Sequence, residues 1–331
     1  MPHSAPLRFA LLALVLTSAL RAQDASPYRT PSPALAALVD APPTPAVILS
    51  PDRQLLLLLE RSDAPSIAEL AEPELRLAGL RINPATNGPS RGLTYTALAL
   101  KPVAGGAERR IAGLPAGARI ADYEWSRDSR HLAFTLVRAD GIELWLADAA
   151  TAQARRLTGP ILNAVFGEPM VWLDEKTLVI RRVPAARGAP PAPSRVPSGP
   201  VVQQNLGRKA AAPTYEDLLA NARDEALFEH HGIAELALAS LDGALTPLPV
   251  SGLITSASPS PDGKHLLVET LHRPYSYLVP AARFPKTIDV VDRAGRRENR
   301  VADLPLAEGV AAGGVRPGPA ASHGAPTNRR R

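Results

Sequence analysis

A short turn, Ser-x-Asp followed by polar residues and then an apolar run, recurs along this chain and constrains its fold more than any other feature. The fullest wording is Ser260-Pro261-Asp262-Gly263 ahead of Leu266-Leu267-Val268. Proline pre-sets φ at the first corner, the aspartate carboxylate can close its own turn, and glycine takes backbone angles that a side chain resists. The apolar run is of the kind shown by a strand buried on both faces. Further copies stand at Ser50-Pro51-Asp52 before Leu55 to Leu59, at Ser126-Arg127-Asp128 before His131 to Val137, and more weakly at Trp172-Leu173-Asp174 before Thr177 to Arg182.

The second copy continues through Asp140-Gly141, a strong hairpin signal, into a return strand at Ile142 to Ala147 and a closing strand at Ala154 to Leu157. That is a small antiparallel sheet in about 40 residues, the size of one propeller blade. Asp128 and Asp174 lie 46 positions apart, close to the blade period, while Asp52 to Asp128 spans 76 and Asp174 to Asp262 spans 88. Each longer interval has room for a further blade, and the whole body for about five. The predicted fold class is all-β: a partial β-propeller of four-stranded antiparallel blades, with one short helix in an insertion.

Composition fits this reading. Hydrophobic residues make up 45% of the 331, too many for a disordered chain, and the 35 prolines favour turns over long helices. There is no cysteine, which excludes disulfides, thiolate metal sites and a cysteine nucleophile. The net charge of +5 sits at the ends. Arg8 and Arg21 give residues 1–22 a charge of +2, and four arginines give residues 311–331 a charge of +4, leaving −1 on the body. A nucleic-acid binder concentrates basic residues on its folded part, so that class is set aside.

The expected boundaries follow. Residues 1–22 read as a secretory signal, with Arg8 ahead of the apolar run Phe9 to Leu16, which is too short to span a bilayer. This predicts a secreted or periplasmic protein without a membrane anchor. Residues 23–45 form a lead-in and 46–310 the partial propeller. Within the propeller, 184–213 is a Pro/Ala-rich loop and 214–229 a helix capped by Thr214 with Asp217. A short helix is also expected near Ile67 to Leu70, and residues 311–331 read as a disordered tail.

Few residues offer chemistry. Gly88-Pro89-Ser90-Arg91-Gly92 matches the G-x-S-x-G nucleophile pattern, but a nucleophile elbow needs a buried strand before the serine and a helix after it. Here a polar loop precedes and a strand at Leu93 to Leu100 follows, so the expected role is a turn. His230-His231 reads as a solvated helix end rather than a metal site, since adjacent histidines point apart and no H-E-x-x-H spacing exists. His272, Arg273, Tyr275 and Tyr277 form the most concentrated polar-aromatic cluster, a candidate contact surface; the plainer alternative is that the tyrosines are half-buried blade residues. No catalytic residue, cofactor site or metal site is read from the sequence.

The repeat resembles the propeller repeats of periplasmic TolB-like proteins and of the prolyl oligopeptidase family of serine peptidases. Longer stretches narrow the resemblance: Leu75 to Arg91, Leu162-Asn163-Ala164, Val196 to Gly207, Thr214 to Leu219, Asp224 to Phe228 and Val268 to Pro280. Together they look like the N-terminal propeller of the glutamyl-endopeptidase branch, over about residues 30–310. The resemblance implies a following α/β-hydrolase domain that carries the Ser, Asp and His, none of which is matched here. It also implies peptide or protein substrates. On this reading the chain is a non-catalytic propeller segment that gates access to a hydrolase domain missing from it. A shifted reading frame near residue 310 would account for the change of composition there. The alternative is a self-standing TolB-like periplasmic protein-binding propeller; a third reading, an enzyme using Ser90, is the least favoured.

Overall fold

The computed structural model describes residues 31–61, 64–192 and 215–309. The expected signal peptide, most of the Pro/Ala-rich loop and the tail lie outside them. The chain divides into two units, residues 1–42 and 43–331. In the first, helix α1 (Pro33–Val39) is capped by Ser32, whose hydroxyl accepts from the Leu35 N–H.

In the second unit the Ser-x-Asp turn organises the sheets. In each full copy the serine hydroxyl donates to its aspartate, at 2.6 Å for Ser50 and Asp52, 2.7 Å for Ser126 and Asp128 and 2.6 Å for Ser260 and Asp262. The same hydroxyl accepts the N–H of the first strand residue, Leu55, His131 or His265. The aspartate meanwhile accepts an N–H two residues on, from Gln54, Arg130 or Lys264. The next position is left-handed, with φ of +61° at Arg53, +60° at Ser129 and +67° at Gly263. Glycine is the residue that meets this demand without strain.

Four antiparallel meanders follow; the full turn joins the first two strands of blades one, two and four, and in blade three Asp174 alone accepts the Lys176 N–H. Blade one starts with β1 (Ala46–Leu49) and β2 (Leu55–Arg61). An insertion intervenes, with helix α2 (Ile67–Leu70) and the small sheet β3 (Leu75–Leu77), β4 (Leu80–Asn83) and β5 (Gly88–Pro89). The blade then resumes with β6 (Tyr95–Pro102) and β7 (Arg109–Arg110). Blade two is β8 (Ile120–Trp125), β9 (His131–Arg138), β10 (Gly141–Asp148) and β11 (Gln153–Arg156), in the expected hairpin register with Ile142 opposite Val137. Blade three is β12 (Met170–Asp174), β13 (Thr177–Arg182), β14 (Ala234–Ser240) and the first half of β15 (Leu245–Pro259). Blade four takes the second half of β15 with β16 (His265–Leu271), β17 (Lys286–Asp292) and β18 (Arg297–Leu304). Strand β15 is thus shared: it pairs with β14 up to Gly252 and with β16 from Leu253. Gly252 has φ +144°, and a Cβ there would stand 2.8 Å from the Thr270 methyl.

The partial propeller of four-stranded blades is therefore as expected, but the described residues hold four blades rather than about five. The two long repeat intervals contain insertions, at 62–94 and 183–233, instead of extra blades. Three further expectations are corrected. The helix in the second insertion, α3, runs Ala222–Gly232 and not 214–229. Its cap is Asn221, whose side chain accepts the Asp224 N–H at 3.0 Å; Asp217 sits at φ +57° and its carbonyl accepts the Gly79 N–H, which keeps that stretch out of the helix. A short helix also occurs at α1, in the expected lead-in, whereas α2 falls where a short helix was expected and is closed by a Ser66–Glu69 capping box. Finally, the leucine runs are not buried on both faces. Leu57, Leu59, Leu266 and Val268 are buried, while Leu56, Leu58 and Leu267 are half-buried. They face away from the neighbouring blade, and no other described sheet covers those faces.

Between blades the core is built of apolar side chains. Leu57, Leu59, Leu98 and Leu100 of blade one pack on Trp125, Leu132, Phe134 and Leu136 of blade two. Ile142, Leu144 and Leu146 pack on Trp172, Leu178 and Ile180 of blade three. Leu173, Val179 and Leu236 pack on Ile254, Leu266 and Val268 of blade four. A separate cluster around Phe228 and Phe284 joins α3 and the β3–β4 hairpin to blade four.

Candidate functional site

The first strand of each blade lies beside cavities that no other described strand fills. The larger, about 1310 Å³, is lined by β1, the 88–95 stretch, Arg119 and residues 121–123 of β8. The smaller, about 290 Å³, lies between Glu124, Glu168, Arg181 and Thr255 to Ser258 of β15. At one end the Ser-x-Asp turns meet one another. The Asp52 N–H donates to the Ser129 hydroxyl at 3.0 Å and the Arg127 guanidinium to the Pro261 carbonyl at 2.8 Å. Arg293 donates to Asp174 at 2.5 Å.

The walls of these cavities carry charge. Asp122 and Glu124 are two apart on β8 and so share a face. Burial pushes the Asp122 carboxyl above its usual range, against the Thr135 hydroxyl that donates to it at 3.2 Å. Burial likewise pushes Glu124 up to about 7, with Glu168 adding to the effect and the Trp172 N–H, 3.2 Å away, opposing it. The indole of Trp172 donates to the Glu124 carbonyl at 3.1 Å, so blades two and three are sewn together at this point. Arg181 on β13 is almost fully buried, and burial pushes its guanidinium down to about 10. It donates to the carbonyls of Ile254 (2.9 Å), Thr255 (3.1 Å), Gly167 (2.7 Å) and Glu168. The sequence reading missed this set. The signal for Asp122-x-Glu124 was present, alternation of two carboxylates on a strand that ends in a Ser-x-Asp turn, but nothing local tied it to Glu168 or Arg181.

The sequence-derived cluster His272, Arg273, Tyr275 and Tyr277 lies on the 272–285 connection and faces α3. Arg273 donates to Glu229 at 2.8 Å and to Glu225. The Tyr275 hydroxyl donates to Glu229 at 2.8 Å and the Tyr277 hydroxyl to Glu225 at 2.7 Å. Glu225 and Glu229 are one helical turn apart and share a face. The Tyr277 hydroxyl, and with it Arg273, holds the Glu225 carboxyl below its usual range. Tyr275 is stacked on Phe284, 5.2 Å between ring centres, beneath the Arg273 guanidinium. His272 reaches Asp303 at 3.1 Å. These four residues clamp the insertion helix to blade four.

Ser90 sits in a turn, as expected. Its N–H donates to the Arg81 carbonyl at 2.8 Å, and its hydroxyl is buried without a hydrogen-bond partner among the described residues. Among the described residues no imidazole reaches that hydroxyl. His231 is buried rather than solvated; burial pushes its ring down to about 4, and Nδ1 lies 3.3 Å from the Asn87 side-chain oxygen. His230 and His231 are part of a polar knot with Arg187, whose guanidinium donates to Asn87 at 2.6 Å. Among the described residues no group of three or more His, Asp or Glu is gathered as for a metal ion, and no helix is long and apolar enough to cross a membrane.

No family model matches the chain. A protein of Arabidopsis thaliana named probable glutamyl endopeptidase, chloroplastic, is 41% identical over 296 residues, 86% of this chain and 31% of that protein. Its namesake in Oryza sativa subsp. japonica is 39% identical over 298 residues, 86% of this chain and 32% of that one. The chain therefore spans about a third of the length of these curated relatives. Among solved structures, the putative TolB of Agrobacterium tumefaciens aligns over 82% of this chain and 84% of its own, at 14% identity and a TM-score of 0.37. The acylaminoacyl peptidase of Pyrococcus horikoshii aligns over 81% and 33%, at 12% identity and a TM-score of 0.41.

Proposed function

We propose that this chain, a homologue of the glutamyl endopeptidases of the prolyl oligopeptidase family, is a non-catalytic propeller that screens peptide substrates for a hydrolase domain. The observation that carries the reading is the cavity of about 1310 Å³ along β1 and β8, beside which the Ser-x-Asp turns touch one another. On this reading the cavity admits an extended peptide and excludes a folded protein. The chain's own serine at the G-x-S-x-G match serves a turn, so hydrolysis is assigned to another domain. The apolar run after Arg8 supports action outside the cytoplasm, in the periplasm or the medium.

Two experiments test this. The purified chain treated with a fluorophosphonate probe is expected to remain unlabelled; labelling that disappears in Ser90→Ala overturns the non-catalytic reading. For the screening role, residues 43–309 are exchanged for the matching segment of the Arabidopsis relative. The chimera is expected to cleave short peptides and spare folded proteins, and Arg127→Ala, which releases the turn of blade two from Pro261, is expected to admit longer substrates. A chimera indifferent to substrate length, with or without Arg127, overturns the screening role.

A further inference from the structure

Strand β1 has a partner on one side only. Its phase is fixed by Ser50, whose N–H donates to the Leu55 carbonyl of β2 at 2.9 Å. Backbone groups alternate sides along a strand, so Ile48 and Ala46 also turn theirs to β2, while Val47 and Leu49 turn theirs to the opposite edge. Among the described residues nothing bonds the N–H or C=O of Val47 or Leu49 on that edge. The edge looks into the larger cavity, whose far wall includes Pro89, Gly92 and Leu93. Val47, Leu49 and Leu93 expose 51%, 51% and 59% of their surface there, an apolar lining beside an unpaired ladder.

The groove is also electrically polar along its length. Arg53, at the turn just beyond Leu49, lines the groove and has no ion-pair partner among the described residues. Asp122 and Glu168 line it too. Asp122 precedes Ser126 by as many residues as Ala46 precedes Ser50, so the shared blade register sets it level with the start of β1. Arg53 therefore stands at one end of the free edge and two carboxylates at the other, where Arg119 is already paired with Glu69 and Glu72.

We propose that this groove is a peptide-binding site, in which an extended peptide lies parallel to β1. Its main chain adds to the sheet through Val47 and Leu49, its amino terminus points to Asp122 and Glu168, and its carboxylate points to Arg53. In a parallel ladder one peptide residue donates to the Val47 carbonyl and accepts from the Leu49 N–H, while its neighbours two positions away take the Val47 N–H and the Leu49 carbonyl. Affinity then comes from main-chain bonds, and the exposed Val47, Leu49 and Leu93 favour apolar side chains at alternate positions. The inference rests on the reading that the chain handles peptides, but its test measures binding alone. A propeller that screens substrates without holding a peptide at β1 is thereby told apart from one that does both.

The test is calorimetric titration of the full chain with the pentapeptide Val-Thr-Val-Thr-Val carrying free ends. One-to-one binding is expected. Methylating the backbone nitrogens of its third and fifth residues, or of its second and fourth, is expected to abolish binding in one phase and leave it unchanged in the other. Leu49→Pro removes one edge donor that β2 does not use, and is expected to weaken binding about tenfold, the equivalent of one hydrogen bond. Arg53→Gly suits the left-handed backbone at that position and is expected to erase any preference for a free carboxylate over a C-terminal amide. No binding at any peptide concentration, equal loss in both methylation phases, or full affinity in both protein variants overturns the proposal.

Discussion

The Asp52 N–H and the Ser129 hydroxyl are 3.0 Å apart across the boundary of blades one and two. A turn that closes one hairpin thus also fastens it to the next, through the N–H of its aspartate on one side and the hydroxyl at the left-handed position on the other.

Ser126→Ala tests the turn itself. The serine is fully buried, and its hydroxyl both donates to Asp128 and accepts the His131 N–H. The substitution leaves that N–H without its acceptor and is expected to cost about 1–3 kcal/mol. Urea denaturation checks it, with Ser260→Ala in the more exposed turn of blade four expected to cost less.

Gly263→Val puts a side chain at φ +67° and places its Cβ 2.8 Å from the Leu173 carbonyl oxygen of blade three. Backbone strain and the clash together are expected to cost about 2 kcal/mol or more. The loss is expected as a lowered thermal midpoint, with hydrogen exchange rising first along β12 and β16.

Glu124 predicts a pH dependence. Its folded carboxyl titrates near 7 against an ordinary value of 4.5, so the folded chain binds the proton more tightly than the unfolded chain. Stability from this group is then greatest below about pH 4.5 and falls as the pH rises to about 7, above which the whole penalty of a buried carboxylate is present. Glu124→Gln is expected to be more stable than the parent at pH 8 by about 2 kcal/mol, and level with it near pH 4. Denaturation curves at the two pH values decide; a variant less stable at pH 8 contradicts the prediction.

Arg273→Ala opens the clamp on α3. Most of the side chain is exposed, so the global cost is expected to stay within about 1 kcal/mol. Locally, Glu225 and Glu229 lose their shared cation, and limited proteolysis is expected to cut between residues 215 and 232 sooner than in the parent. An unchanged cleavage pattern contradicts the clamp.

The blade repeat was legible because its turn is a local device: serine, aspartate and a left-handed residue settle their own bonds within six positions. Arg53 and Ser129 occupy that left-handed place without being glycine, and the serine and aspartate around them still marked the turn. The clusters were less legible. His272 to Tyr277 stood out as a concentration of aromatic and charged residues, but their partners Glu225 and Glu229 lie almost fifty positions away, and nothing local pairs them. Asp122 on β8, Glu168 just before β12 and Arg181 on β13 come together only because blades two and three pack side by side. The helix start was misjudged because Thr214 and Asp217 imitate a cap, while the bonds that hold Asp217 out of the helix come from the β3–β4 hairpin.

The unbroken run of β15 decides where this chain can be divided. Blades two and three are joined by the loop after β11, and a cut there leaves a whole sheet on each side, whereas blades one and two are one continuous sheet through the pairing of Tyr95 on β6 with Ile120 on β8. A cut at Gly252 does not leave whole sheets: it would strip blade three of its last strand's continuation and blade four of its first. Blades three and four are therefore one mechanical unit, and the seam between the two large sheets lies near residues 157–169.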